Sequence, residues 1–247
     1  MSFKDHFSSH AAGYAAYRPT YPPELVTFLA DVAPATSLVI DCGCGTGQLS
    51  IPLAERFDRV VALDASAAQI ASAPAHPRVE YRVAGADATG EPDGSADLVT
   101  VAQAAHWFDL DRFYAEVRRV SRRGSILALI TYGVVETDGD VDAVVQHFYR
   151  DVIGPYWPPE RRDVDTGYRH LAFPFADVPY PPLAIEAVWS LAEFHGYVDT
   201  WSAVRAAEKT VGREPMEAFA RALSVAWGRA EHRRTIRWPL SMRIARL

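Results

Sequence analysis

The chain has 247 residues, 49% of them hydrophobic and 23% charged, with a formal net charge of -6. This length and composition suit one large α/β domain with its own core and exclude disordered and fibrous classes. The acidic balance argues against a nucleic-acid partner, whose affinity would come from Lys and Arg set against phosphates, and favours a small-molecule partner. The N-terminus, Met1-Ser-Phe-Lys-Asp-His6, has no basic segment ahead of an apolar stretch, and no apolar run reaches bilayer length. A cytoplasmic protein without a membrane partner is expected.

Residues 3–21 read as an arm rich in aromatics, in which Arg18 stands among Tyr14, Tyr17 and Tyr21. A planar guanidinium there suits the carboxylate of a cofactor or substrate, and the arm is expected to fold over the occupied site. Residues 22–32 follow as a helix with Leu25, Phe28, Leu29 and Val32 on one face. Short, nearly continuous apolar runs at 38–42, 60–63, 98–101 and 126–130 read as strands covered on both faces, and 79–83 as a shorter, alternating one. Helical patterns separate them: Leu49, Leu53 and Phe57 share a face, as do Leu110, Phe113, Val117 and Val120. Pro52 is compatible with the first of these if it lies in the first turn, where its missing N–H has no partner. In the second, Asp109 or Asp111 can cap the start, Arg118, Arg119, Arg122 and Arg123 suit the negative end, and Gly124 can close it.

After Tyr132 the rhythm changes. Residues 142–152 read helical, 155–182 are rich in proline and aromatics, 185–194 read as a strand, and Met216, Phe219, Ala220, Leu223 and Trp227 mark a helix. Residues 235–247 hold a last strand in which Pro239 predicts an edge or a bulge.

Alternating strands and helices imply a parallel sheet that binds ligands beyond the carboxyl ends of its central strands. The run Val39-Ile-Asp-Cys-Gly-Cys-Gly-Thr-Gly47 puts a strand directly against three glycines at alternate positions. Gly43, Gly45 and Gly47 permit a sharp turn and close approach of backbone to ligand. The dinucleotide fingerprint wants its third glycine at position 48, where Gln48 stands, so a pyrophosphate reader is disfavoured. Both cysteines, Cys42 and Cys44, lie in this loop and form neither a disulfide framework nor a zinc site; no metal site is expected.

The loop resembles the first motif of the class I S-adenosylmethionine-dependent methyltransferases, an acidic residue followed by G-x-G-x-G. That resemblance covers roughly residues 38–132. It implies a doubly wound α/β fold with a mostly parallel seven-stranded sheet and an antiparallel last strand, to which the proline- and aromatic-rich stretch after Tyr132 adds an inserted lid. It implies S-adenosyl-L-methionine as cofactor, with Asp41 near its methionine portion. Asp64, at the end of the second strand, would accept the ribose hydroxyls, and Ala86 and Asp87 would face the adenine. Gln103, after the fourth strand, is a further cofactor contact, and Tyr17 and Arg18 add to the set. The run Ala-His106-Trp-Phe-Asp109, with Tyr17-Arg-Pro-Thr-Tyr-Pro22 and Gly196-Tyr-Val-Asp-Thr-Trp-Ser202, resembles the trans-aconitate methyltransferase-like branch of the type 11 methyltransferases, which acts on small acids where its substrates are known.

The expected division is an arm over 1–21, a cofactor-binding core over 22–133, a lid over 134–183 and the rest of the core over 184–247. The expected reaction is methyl transfer to a small molecule, with O-methylation of a carboxylic acid ahead of N- or C-methylation and of a protein that binds the cofactor without catalysis. A carboxylate needs no base. An alcohol, phenol or amine would, and His106 is the catalytic candidate, set against a histidine merely stacked beside Trp107. Trp157, Tyr156 and Phe173 are candidates for an acceptor wall or for core.

Overall fold

A computed structural model describes residues 20–247. Seven strands, β1 (Leu38–Cys42), β2 (Arg59–Asp64), β3 (Val79–Val83), β4 (Ala96–Ala102), β5 (Ser121–Tyr132), β6 (Ala184–Trp189) and β7 (Arg234–Arg246), form one sheet in the order β3-β2-β1-β4-β5-β7-β6. The first five are parallel. β7 runs antiparallel to both β5 and β6, giving the expected mostly parallel seven-stranded sheet with an antiparallel last strand.

The continuous apolar runs have the physical basis expected of them. Val39, Val60, Leu98 and Ile126 point into one core, shared with α1 (Pro23–Val32). Their neighbours Ile40, Val61, Val99 and Leu127 point into the other, shared with α4 (Leu110–Val120). A period of two with apolar residues at both phases is what a sheet covered on both faces requires. α2 (Ser50–Leu53) is short, with Pro52 in its first turn as expected. α3 (Ala67–Ala71) follows β2.

Three local expectations are corrected. Gly124 does not close α4: the helix ends at Val120, and Gly124 lies inside β5 at φ 82°. There Ser121 pairs with Ala96 and Ile126 with Leu98, so the extra β5 residues bulge out, and glycine supplies the left-handed bend. Two arginines of this stretch are held in ion pairs: Arg119 holds Glu116 and Asp93, and Arg122 reaches the fully buried Asp97 at 2.9 Å. Second, β6 stops at Trp189. Ser190 and Glu193 form a capping box that starts α7 (Leu191–Asp199), so Phe194 is helical.

Third, Pro239 lies in an inner strand. It sits where β7 passes from pairing with β6, ending at Ala184 opposite Pro239, to pairing with β5, starting at Tyr132 opposite Leu240. The Leu240 N–H points to Leu183 on the β6 side, so an N–H at 239 would point the other way, into the gap where β5 has ended.

The connection between β5 and β6 contains α5 (Gly139–His147), which continues into a π-helical turn at Phe148–Val152, and later α6 (Arg161–Asp165). Phe148 stacks on Phe219 of α9 (Glu214–Trp227) at 4.1 Å, which ties this helix into the main core. α6 instead packs over the carboxyl end of β5, where Gly133 abuts Asp165. α8 (Ser202–Val211) completes the described helices. Among the described residues no helix is long and apolar enough to cross a membrane.

Candidate functional site

The strand order reverses at β1 and β4, so the crossovers leave to opposite faces and a crevice opens at the carboxyl ends of these two strands. The glycine loop leaves one of them and residues 103–109 leave the other. Gly43, Gly45 and Gly47 all take left-handed φ, 68°, 58° and 87°. The N–H groups of Gly43 and Cys44 both donate to the Leu63 carbonyl, at 2.7 and 2.9 Å, which ties the loop to the end of β2. A Cβ on Gly43 would stand 2.5 Å from that of Ala104, so the loop meets the turn after β4 with no room for a side chain. Gly47 serves a different contact: a Cβ there would lie 2.2 Å from the Tyr81 hydroxyl of β3. The third glycine thus seats the loop and the start of α2 against the sheet.

The acidic residues divide by burial. Asp41 is buried, and its two oxygens accept from the hydroxyls of Ser50 (2.6 Å) and Thr100 (2.9 Å). Burial, eased by those bonds, pushes its pKa up to about 6. It sits beneath the loop as a brace between β1, β4 and α2. Asp64 is half-buried at the end of β2 and accepts the Gly45 N–H at 2.9 Å and the Ser66 N–H at 2.8 Å. Asp87 is exposed beyond β3, 3.5 Å from Arg112 of α4, while Ala86 packs on the α4-side core. Cys42 and Cys44 are buried free thiols, pushed far above the ordinary thiol pKa by burial and by Asp41 nearby, so they are inert.

The residues after β4 are held by hydrogen bonds. Gln103 takes φ 60°, and its amide bonds to two groups at the end of β5, the Tyr132 carbonyl at 2.8 Å and the Thr131 hydroxyl at 2.8 Å. A carbonyl only accepts, so the Gln103 NH₂ faces Tyr132, its oxygen faces Thr131, and the Thr131 hydroxyl donates to it. The buried Tyr168 hydroxyl lies among the Thr131 side chain and the backbone N–H groups of Ala105 and His106. It shares a hydrogen bond with His106 Nδ1 at 2.9 Å. His106 Nε2 takes no bond from any described residue. Burial, and then the charge of Arg161, lower the His106 pKa to about 4, so the ring is neutral at physiological pH. Trp107 lies beside it, the two rings tilted by 47° with centres 4.8 Å apart.

Residues 149–168 supply the wall next to this histidine. Arg161 donates through Nε to the Tyr149 hydroxyl and to Asp165, and its guanidinium lies 4.7 Å from the Trp157 ring centre. Trp157 in turn meets Trp201, one residue ahead of α8, at 6.0 Å. Of the three aromatics considered for an acceptor wall, Trp157 is in this cluster, whereas Phe173 packs on Tyr114 and Phe175 in the core. Tyr156 lies against the main core.

The sequence reading thus named the loop, Asp64, Gln103 and His106, which the fold brings to one end of the sheet; Tyr17 and Arg18 lie outside the described residues. It missed Tyr168, Thr131 and Arg161. The local sign for Tyr168 is its place after Gly167, whose φ of 62° packs it against Ser241, but the partner 62 residues away leaves no local trace. Among the described residues no group of His, Cys, Asp and Glu could hold a metal ion.

A family profile described as a methyltransferase domain matches residues 40–129, the stretch from β1 to β5. A Dictyostelium discoideum protein named as a methyltransferase is 34% identical over 234 residues, covering 92% of this chain and 89% of that protein. Methyltransferase cfoB of Aspergillus candidus is 26% identical over 268 residues, covering 93% of this chain and 82% of its own length. A solved structure from Anaeromyxobacter dehalogenans, named as a type II methyltransferase, superposes with a TM-score of 0.90 at 49% identity, covering 93% of this chain and 98% of that one.

Proposed function

Since this chain belongs to the S-adenosylmethionine-dependent methyltransferases, we propose that it methylates an oxygen of a small molecule, with His106 receiving the acceptor's hydroxyl. The observation that carries this reading is the neutral His106, bonded through Nδ1 to Tyr168 at 2.9 Å with Nε2 taken by no described residue, so that a ring with its proton on Nδ1 offers Nε2 to the acceptor.

The residues fit the cofactor. The loop turns through three left-handed glycines at the switch point of the sheet, and Asp64 stands at the end of β2 as an acceptor for ribose hydroxyls. Asp87 and Ala86 would flank the adenine, and Gln103 would act by fixing the turn that carries His106. Asp41 would act through the loop, since its carboxylate is spent on Ser50 and Thr100. When bound, S-adenosylmethionine supplies an electrophilic methyl group on a sulfonium.

The protein's part is to hold an acceptor oxygen in line and exclude water. An unprotonated Nε2 repels a carboxylate and attracts an O–H, which favours a hydroxyl over a carboxyl oxygen as the methylated atom. With a pKa of about 4, His106 is a weak base. It suffices because the acceptor's proton becomes strongly acidic as its oxygen gains the methyl group, so the proton moves to Nε2 late in the step. Residues 149–168 form the cover, and neighbouring aromatics give the recess an apolar wall.

The test is turnover with a panel of hydroxy acids, phenols, alcohols and amines. Base-stable methyl ethers are expected, with kcat reduced about a hundredfold in His106→Gln, the scale of a lost general base. Methylation on nitrogen or carbon, base-labile esters alone, or full activity in His106→Gln would overturn the reading. So would tight binding of S-adenosylhomocysteine with no turnover of any acceptor.

A further inference from the structure

Arg161 is set as an anchor yet only half used. Its side chain is 23% exposed. Nε donates to the Tyr149 hydroxyl at 2.6 Å and to Asp165 at 3.1 Å. The four N–H groups of its two terminal nitrogens take no partner from the described residues. The guanidinium face is pinned 4.7 Å from the Trp157 ring centre and 5.4 Å from that of Tyr149, so its plane is fixed and its outer edge is left to bond. A guanidinium presents parallel N–H groups to a carboxylate as a two-point fork, and one held by stacking loses little freedom on binding.

Its position relates it to the acceptor. α6 lies over the carboxyl end of β5 and beside the turn that carries His106. Arg161 is close enough for its charge to act on His106 and on the Tyr168 hydroxyl. Tyr149, from the π-helical turn, and Trp157 both meet this cation, and Trp201, just ahead of α8, backs both rings.

We propose that Arg161 binds a carboxylate of the methyl acceptor, so that the substrates are small hydroxy acids held by the carboxylate at Arg161 and methylated on a hydroxyl at His106. This rests on the reading of His106 as the acceptor's partner. One guanidinium that already shares its charge with Asp165 suits a singly charged carboxylate better than a doubly charged phosphate. The aromatic surround suits a flat or unsaturated skeleton. An anion seated there also cancels part of the positive field at His106, which strengthens Nε2 as a base once the right substrate is in place.

The experiment separates binding from turnover. Full-length protein saturated with S-adenosylhomocysteine is titrated with aryl and alkenyl carboxylates, benzoate and 4-hydroxybenzoate among them, and with their neutral primary amides. Tryptophan fluorescence and calorimetry report binding for wild type, Arg161→Lys, Arg161→Gln and, as a distant control, Arg221→Gln. Wild type and the control should prefer carboxylate over amide at least tenfold. Arg161→Gln should lose the preference while still binding S-adenosylhomocysteine normally, and Arg161→Lys should keep part of it. Equal binding of acids and amides to wild type, no binding of any carboxylate, or an unchanged preference in Arg161→Gln overturns the proposal. A carboxylate preference that depends on Arg161, with no transfer to a hydroxyl, would sustain the anchor and sink the His106 reading alone.

Discussion

Gln103 and Tyr168, which both hold φ at 60° without being glycine, both stand beside the Thr131 side chain, whose hydroxyl donates to Gln103 at 2.8 Å. They are the non-glycine residues with positive φ among those described. Such a conformation costs about 1–2 kcal/mol per residue and persists where surrounding bonds impose it, most often at functional sites. Here Gln103 opens the turn that carries His106, and Tyr168 bonds to the His106 ring.

Tyr168→Phe tests that bond. The ring still fills its buried site, but His106 Nδ1 loses its partner, so stability should fall by about 1–2 kcal/mol. The imidazole is then free to take the other tautomer, with its proton on Nε2. Methyl transfer should drop at least tenfold while the dissociation constant of S-adenosylhomocysteine is unchanged. Nitrogen chemical shifts of His106 should show the proton leaving Nδ1; a shift pattern identical to wild type would refute the assigned tautomer.

The contact of Gly47 with Tyr81 gives a paired prediction. The Tyr81 hydroxyl is buried without a hydrogen-bond partner, and burial, first of all, pushes its pKa up to about 12. Tyr81→Phe removes that unsatisfied group and should leave Tm unchanged or raise it. Gly47→Ala drives a methyl group to 2.2 Å from the same oxygen at φ 87° and should cost about 2–3 kcal/mol or more. In the double variant the worst contact is gone, so part of that loss should return; strictly additive losses in thermal denaturation would argue against the contact.

Asp41 makes stability depend on pH with a definite sign. Its folded pKa, about 6, lies above the 3.8 of an unfolded aspartate. The folded state therefore binds the proton more tightly, and this favours folding fully below pH 3.8 and is lost as pH rises through about 6. The difference across that window is about 3 kcal/mol. Asn at 41 carries no charge and can still accept one of the two hydroxyls. Denaturant titrations at several pH values should show Asp41→Asn gaining on wild type steadily between pH 4 and 7; a constant difference would mean that the carboxylate is not desolvated.

Asp64→Ala probes the donor half of the site. The carboxylate holds two loop N–H groups and, in the proposed complex, ribose hydroxyls. Its loss should weaken S-adenosylhomocysteine at least tenfold by calorimetry and leave the acceptor KM, measured at saturating donor, nearly unchanged. If the donor affinity does not move, Asp64 is a loop brace only.

How much of this was legible in the chain follows from the range of the forces involved. Apolar runs at both phases of a period of two are a local pattern, so β1 to β4 could be placed within two residues, and the G-x-G-x-G turn declared itself because φ above zero is written in the residue type. Errors fell where a local rule had two outcomes. Gly124 ends helices and also bends strands, and only the pairing of Ser121 with Ala96 and of Ile126 with Leu98 selects the bulge. The Ser190 and Glu193 box was in plain sight, but the apolar run on both sides of it carried the strand reading too far.

The sequence by itself determined the kind of sheet, the loop at its carboxyl edge and the family to which both belong, since each depends on neighbours a few residues apart. The tertiary structure decided what those residues face. It turned the Asp41 carboxylate inward to Ser50 and Thr100, set Tyr81 behind Gly47, and brought Tyr168 and Arg161 to His106 from the far side of β5. Burial and the field of Arg161 set the protonation of the histidine, and those arise only when segments some sixty residues apart are packed together.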